Sequence, residues 1–76
     1  MHPDLTFGEK AVGLNFNPSN DPTVQKIKET YAAIIDFLNE CRNATVSGEA
    51  KRLYSIAITD AQTAQMWAVK AATWQD

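Results

Sequence analysis

The stretch IAITDAQTAQMWAVKAATW, residues Ile56 to Trp74, decides the fold of this chain. It lies inside Glu49–Asp76, which contains no glycine and no proline, so no residue there interrupts a helix. Residues spaced three and four apart share one face of a helix. One face of this predicted helix is almost entirely alanine: Leu53, Ala57, Ala61, Ala64, Ala68 and Ala71. Because small side chains let helix backbones approach closely, we expect a partner helix to pack along this alanine face.

The rest of the same helix is also unusual for a surface helix. A second strip carries an acid, a base and two tryptophans: Asp60, Thr63, Trp67, Lys70 and Trp74. A third strip interleaves apolar side chains with amides: Ile58, Gln62, Gln65, Val69 and Thr73. An ordinary surface helix fills its outer face with lysine and glutamate. We infer that most of this helix contacts protein or ligand rather than water.

A second long helix is predicted upstream, over residues 21–42. Asp21 followed by Pro22 is a typical helix start, since the carboxylate caps free amides and proline is tolerated at the first helical position. Its apolar residues alternate spacings of three and four, as in a coiled-coil seam: Val24, Ile27, Tyr31, Ile34, Leu38 and Cys41. Ala32, Ala33, Ile35 and Phe37 widen the seam, which suggests a second helical partner from another subunit.

A short polar loop, residues 43–48, connects the two helices, and Ser47 is a candidate N-cap for a second helix over residues 49–74. A loop of this length between two long helices indicates an antiparallel hairpin. The first 20 residues lack helical periodicity and contain turn-forming glycine and proline, so they are predicted to form a non-helical arm that packs on the hairpin. The predicted fold is all-α, with one domain over residues 1–76.

Size and composition narrow the possible functions. A chain of 76 residues has a small core and needs further stabilisation. Cys41 is the lone cysteine and His2 the lone histidine, which excludes an internal disulfide and a Cys/His metal cluster, so oligomerisation is the expected source of stability. A net charge of −2 disfavours binding to duplex nucleic acid. We find no secretory signal and no membrane-spanning run, and therefore expect a cytoplasmic protein.

The residue types favour binding over catalysis. No nucleophile–base pair, phosphate-binding glycine loop or paired carboxylate is recognisable, so we expect no enzymatic activity and no cofactor. Flat aromatic faces for a nucleobase, amides for base edges and lysines for phosphate are present: Phe7, Phe16, Trp67, Trp74, Asn15, Asn17, Gln62, Gln65, Lys28 and Lys70. Each also has a purely structural interpretation. The tryptophans fit core or interface positions, the glutamines can bond between helices, and Lys28 can be an ordinary solvated lysine.

Two stretches, AITDAQTAQMWAVKAATW (57–74) and LNFNPSNDPTVQKIKETYAAIID (14–36), resemble the hairpin domain of phage-encoded nucleotide sponges, the anti-Thoeris and anti-CBASS proteins. The resemblance implies a symmetric homohexamer that sequesters cyclic nucleotide messengers of bacterial immunity without cleaving them. The implied ligands are cyclic oligonucleotides, such as cyclic GMP-AMP and cyclic di- and triadenylate, together with cyclic ADP-ribose isomers. The implied location is the cytoplasm of the bacterial host.

The resemblance also implies roles for particular residues. Lys28 would meet phosphate and Phe16 would stack on a base, with Asn17 beside it. The Gly-Tyr-Arg-Asp stretch of the anti-CBASS branch is missing here, which leaves Phe7 as an alternative stacking residue. Polar positions of the second helix would lie near the ligand or an interface: Gln62, Thr63, Gln65 and Lys70. A competing hypothesis is a helical-hairpin adaptor that binds a protein partner, since the alanine face and the seam suit that role equally well.

Overall fold

In a computed structural model that describes residues 4–76, the chain forms three helices and no strand within that range. Helix α1 spans Phe7–Val12, helix α2 spans Pro22–Ala44 and helix α3 spans Gly48–Ala72. The predicted all-helical hairpin is confirmed. His2 lies outside the described residues. No helix among residues 4–76 combines the length and the apolar character that a membrane crossing requires.

The two long helices begin at side-chain caps. The Asp21 carboxylate accepts a hydrogen bond from the Thr23 N–H at 2.8 Å, with Pro22 in the first turn. The Ser47 hydroxyl accepts one from the Ala50 N–H at 3.1 Å. These bonds satisfy amides that have no partner inside the helix, so each helix starts where its cap stands.

The prediction that the arm contains no helix was wrong. Thr6 and Glu9 form a reciprocal capping box: the Thr6 side chain accepts from the Glu9 N–H at 3.1 Å, and the Glu9 carboxylate accepts from the Thr6 N–H at 2.8 Å. Gly13 ends α1 in the left-handed conformation, at φ 63°. A capping box and a left-handed glycine are standard signals for the two ends of a helix, and they define α1 although it is too short for a periodic pattern.

Helix α2 lies between α1 and α3 and packs against both. Its buried residues are Val24, Lys28, Ala32 and Ile35. The predicted seam was wrong by one position at its centre, because Ile34 is 44% exposed while Ile35 is completely buried. A strict coiled-coil seam faces one partner helix, whereas this stripe also has to face the arm, which turns the buried side of α2 towards Lys28 and Ala32.

The hairpin also packs along a different strip of α3 from the one predicted. The buried residues of α3 are Ile58 and Gln65, from the amide strip, whereas Leu53, Ala64 and Ala71 of the alanine face are exposed. Ala61 alone of the alanine face packs against the small core formed by Val12, Ala32, Ile35 and Ile58. Ile58 of the amide strip packs against Ala32 and Ile35 of α2 and Val12 of the arm, and the Gln62 side chain donates to the Ala11 carbonyl at 3.4 Å.

The molecule is a single layer of helices, with extents of 46 × 35 × 12 Å. Its thickness equals about one helix diameter of roughly 10–12 Å. Both broad faces of the layer therefore meet solvent in a single chain. Many large apolar side chains are exposed as a result: Phe7, Phe16, Ile34, Phe37, Val46, Leu53, Ile56, Met66, Trp67 and Trp74.

Candidate functional site

The Lys28 side chain is the centre of the candidate site. It is only 5% exposed, and its ammonium donates hydrogen bonds to the Gly13 carbonyl, at 3.0 Å, and to the Phe16 carbonyl. Burial of a charge requires such partners, and two backbone carbonyls of the arm provide them here. The interpretation of Lys28 as an ordinary solvated lysine was wrong. The residue joins α2 to the turn that follows α1.

Phe16 stands directly above this charge. Its ring centroid lies 5.4 Å from the Lys28 ammonium nitrogen, and the side chain is 74% exposed. The backbone around it is held by the Lys28 bond to its carbonyl and by its own N–H, which donates to the Gly13 carbonyl at 2.9 Å. The backbone is therefore held while the ring presents an accessible aromatic face with a positive charge beneath it, an arrangement that suits stacking of an electron-rich ring.

A groove runs between the arm and α3, and we call it the arm groove. Its volume is about 540 Å³, within the roughly 300–1,000 Å³ typical of small-molecule sites. It brings together four of the predicted site residues, Phe16, Lys28, Gln62 and Gln65. Its lining is Lys10, Ala11, Val12, Gly13, Phe16, Lys28, Gln62, Gln65, Met66 and Val69.

The two glutamines differ in how they contribute to the arm groove. The Gln62 amide donates to the Ala11 carbonyl at 3.4 Å, a long bond that leaves its oxygen available. Gln65 is only 5% exposed, and it lines the groove from α3. Both side chains can offer a donor and an acceptor to a base edge.

A smaller groove of about 240 Å³ adjoins Phe16, and we call it the loop groove. It shares Phe16, Lys28 and Val69 with the arm groove. Its lining is Phe16, Asn17, Pro18, Ser19, Val24, Lys28, Val69 and Thr73. Phe16 therefore borders both grooves.

Asn17 lines the loop groove, but its amide is already used within the turn. Its NH₂ group donates to the Asp21 carbonyl at 3.1 Å, and its oxygen accepts from the Ser19 hydroxyl at 3.1 Å. Asparagine side chains commonly organise turns in this way. The geometry assigns Asn17 to shaping the turn that carries Phe16.

Phe7, Thr63 and Lys70 line neither groove of the single chain. The Phe7 ring lies at the other end of α1, with the Arg42 guanidinium carbon 5.5 Å from its centroid. The Thr63 hydroxyl donates to the Thr59 carbonyl in its own helix at 3.1 Å. The Lys70 ammonium lies 5.6 Å from the Trp67 ring centroid on the outer surface of α3.

Sequence reasoning missed Lys10 and Met66 as groove residues. Lys10 lies in the last turn of α1 and Met66 is 61% exposed on α3. The spacing Thr6-Phe7-Gly8-Glu9 matches the capping-box signature, and with Gly13 it would have predicted α1 and placed Lys10 on it. No signal in the sequence identifies Met66 because its position depends on where the arm lies.

The described residues offer no metal site at the grooves. Among residues 4–76, no three His, Cys, Asp or Glu side chains lie close enough together to hold a metal ion. A hydrogen bond from Arg52 lowers the pKa of Glu49, and the same bond raises the pKa of Arg52. This pair is solvent-exposed at the start of α3 and lines neither groove.

The fold and the grooves define a small helical binding module: a flat hairpin whose docked arm presents an aromatic face over a buried lysine. The chain belongs to the Acb2/Tad1 hairpin-domain family, whose model matches residues 9–73, including α2, α3 and every residue that lines the two grooves. This is the anti-CBASS and anti-Thoeris sponge family, known for sequestering cyclic nucleotides. It is a binding family and is not known as an enzyme family. No curated protein and no solved structure matches the chain.

Proposed function

We propose that this protein is a non-enzymatic sponge that sequesters cyclic nucleotide immune messengers, so that a phage escapes CBASS or Thoeris defence in the cytoplasm of its bacterial host. The observation that carries the proposal is the exposed Phe16 ring, whose centroid lies 5.4 Å from the buried Lys28 ammonium at the edge of a groove with two amides. Family membership supports the same conclusion. The candidate ligands are cyclic GMP-AMP, cyclic di- and triadenylate and cyclic ADP-ribose isomers.

Each part of such a ligand has a matching group in the arm groove. A nucleobase stacks on the Phe16 ring, a contact worth about 1–3 kcal/mol for each base. The amides of Gln62 and Gln65 read the edge of the base. The positive charge of Lys28 attracts phosphate, as the family resemblance implies. Recognition by one local charge is compatible with the net charge of −2, which disfavours only a long polyanion.

We further propose that the sponge is a symmetric homohexamer with its pockets completed between copies. A layer only 12 Å thick has little interior, and among residues 4–76 Ile35 is the one large side chain that is completely buried. Exposed Phe37, Trp67 and Trp74 offer the aromatic area that protein interfaces favour. Phe7, Thr63 and Lys70 would then act at pockets or interfaces that form only in the assembly.

The same exposed apolar surface favours one competing function, a hairpin adaptor for a protein partner. An adaptor would use the outer faces of α2 and α3 and would leave the arm groove without a ligand. The two functions therefore predict opposite results in a nucleotide-binding experiment.

The test is a thermal-shift panel of cyclic dinucleotides, cyclic trinucleotides and cyclic ADP-ribose isomers, on protein whose 260/280 nm absorbance ratio shows it to be free of nucleotide. A ligand at 100 times its Kd stabilises the folded form by about 2.7 kcal/mol, which for a domain of this size is a Tm increase of several degrees. Bound ligand recovered intact after denaturation distinguishes a sponge from a hydrolase. Absence of a shift with every messenger overturns the proposal in favour of the adaptor.

A further inference from the structure

We propose that Gln62 determines which base the arm groove accepts, because its side-chain oxygen takes a hydrogen bond from an exocyclic amino group, such as the 6-amino group of adenine. This inference rests on the proposed function and adds a chemical requirement to it: the messengers that bind best carry an amino group on the stacked base. The feature that carries the inference is the orientation of one amide, which a carbonyl of the arm fixes.

The Gln62 amide is oriented by the arm. Its NH₂ group donates to the Ala11 carbonyl at 3.4 Å, across 51 positions of the sequence. The opposite orientation would set the Gln62 oxygen against the Ala11 oxygen, and two acceptors cannot bond to each other. Because a half-buried amide keeps the orientation in which it has a partner, the Gln62 oxygen is the acceptor that remains for a ligand.

The surroundings of that oxygen suit the edge of a flat base. Ala11 and Gln62 line the arm groove together with Phe16, whose ring is 74% exposed and available for stacking. Gln65 lies three residues further along α3, on the same face, and lines the same groove. Its amide offers a donor to the ring nitrogen beside the amino group. An acceptor next to a donor matches the amino group and ring nitrogen of adenine, the pairing that amide side chains make with this base.

Removal of the amino group from the ligand tests the contact directly. Cyclic diadenylate carries a 6-amino group on both bases, and its 6-desamino analogue, in which purine replaces adenine, keeps the phosphates, the sugars and the fused rings. Wild-type protein should bind the analogue about three- to tenfold more weakly, the usual net worth of one hydrogen bond. Gln62→Met has a side chain of similar length without the oxygen, so it should bind the two ligands equally.

The ratio of the two affinities separates recognition from stability. Gln62→Met also removes the donor to the Ala11 carbonyl, which weakens the docking of the arm. Undocking of the arm lowers both affinities by the same factor and leaves their ratio unchanged. Gln25→Met is the matched control, because Gln25 lies on α2, donates to Glu29 and lines neither groove; this variant should keep the wild-type ratio. Titration calorimetry of the three proteins with both ligands measures the ratio, and thermal melts without ligand measure the effect on the fold.

The outcomes keep the inference apart from the function beneath it. A wild-type preference for cyclic diadenylate that disappears in Gln62→Met and persists in Gln25→Met supports the assignment. Equal affinity of the wild type for the two ligands overturns the assignment and leaves the sponge intact, as does a preference that survives in Gln62→Met. Binding of other cyclic nucleotides without binding of cyclic diadenylate also overturns it, because this ligand offers the amino group on both bases. A wild-type protein that binds no messenger overturns both.

Discussion

Replacement of Gly8 by alanine tests how the arm is docked. Gly8 is buried in α1, and a Cβ atom built on it would collide with the carbonyl oxygen of Ala32 in α2 and lie 2.9 Å from the Asp36 carboxylate. The same carboxylate oxygen accepts the Gly8 N–H at 2.7 Å. Because the Ala32 oxygen belongs to the backbone, a side-chain rotation cannot relieve the collision. Either α1 moves away from α2 or the arm detaches.

The size of the effect follows from these contacts. Overpacking of this kind usually costs about 1–3 kcal/mol, and a lost hydrogen bond to a charged group costs about 1.5–3 kcal/mol. Alanine in place of glycine lowers the conformational entropy of the unfolded chain, which offsets about 0.4–1 kcal/mol of this destabilisation. We therefore expect Gly8→Ala to destabilise the docked arm by about 2–4 kcal/mol, with cyclic nucleotide binding reduced because Phe16 and Lys10 move with the arm.

Hydrogen exchange provides the assay. The N–H groups of Gly13 and Leu14 donate to Lys10 and Glu9 carbonyls only while α1 and its cap are formed, so they should exchange faster in Gly8→Ala. Gly48→Ala is the control, because it makes the same substitution in α3 where a Cβ would meet no atom within 4 Å. Gly48→Ala should be neutral or slightly stabilising. If Gly8→Ala is as stable as Gly48→Ala and its arm amides stay protected, the close approach of α1 to α2 is not what holds the arm.

Three further variants probe the binding face, the outer face and the surface charges. Phe16→Ala should weaken cyclic nucleotide binding by about 1–3 kcal/mol without lowering the Tm of the free protein, since the Phe16 ring is 74% exposed. Titration calorimetry measures the affinity and a thermal melt measures the Tm. An unchanged affinity would exclude Phe16 as the stacking residue. Trp67→Ala should reduce the mass of the oligomer measured by light scattering, because the Trp67 ring is 65% exposed in a single chain and is available for an interface. The helical circular dichroism should persist. An unaltered mass would place the interface elsewhere. A hydrogen bond from Arg52 lowers the pKa of Glu49 in the folded state. The Glu49–Arg52 pair therefore stabilises the fold above the ordinary glutamate pKa of 4.5, and this stabilisation is lost as the pH falls through the lowered pKa. The Tm values of wild type and Glu49→Gln should accordingly converge in acid, and a gap that widens there would contradict this.

The features that could be predicted from the sequence are those that depend on neighbours a few residues away. The caps at Asp21 and Ser47 act within one helical turn, and the long run without glycine or proline makes α3 helical wherever it packs. The short loop between the two long helices then leaves an antiparallel hairpin as the compact arrangement. Helix α1 belongs to this group as well, because its capping box and left-handed glycine are local signals that were present and overlooked.

The tertiary structure decided which faces are covered and which residues share the groove. Ile35 instead of Ile34 is buried, and the buried residues of α3, Ile58 and Gln65, come from the amide strip instead of the alanine face. Ile35 and Ile58 are buried because they meet Val12 of the arm in one core. Lys28 reaches carbonyls 12 and 15 positions away in the sequence, and Gln62 reaches one 51 positions away. Helical periodicity states only that some face is buried, whereas the partner of that face is fixed by contacts between distant segments. Those contacts between distant segments are what make Lys28 a buried lysine instead of a solvated one.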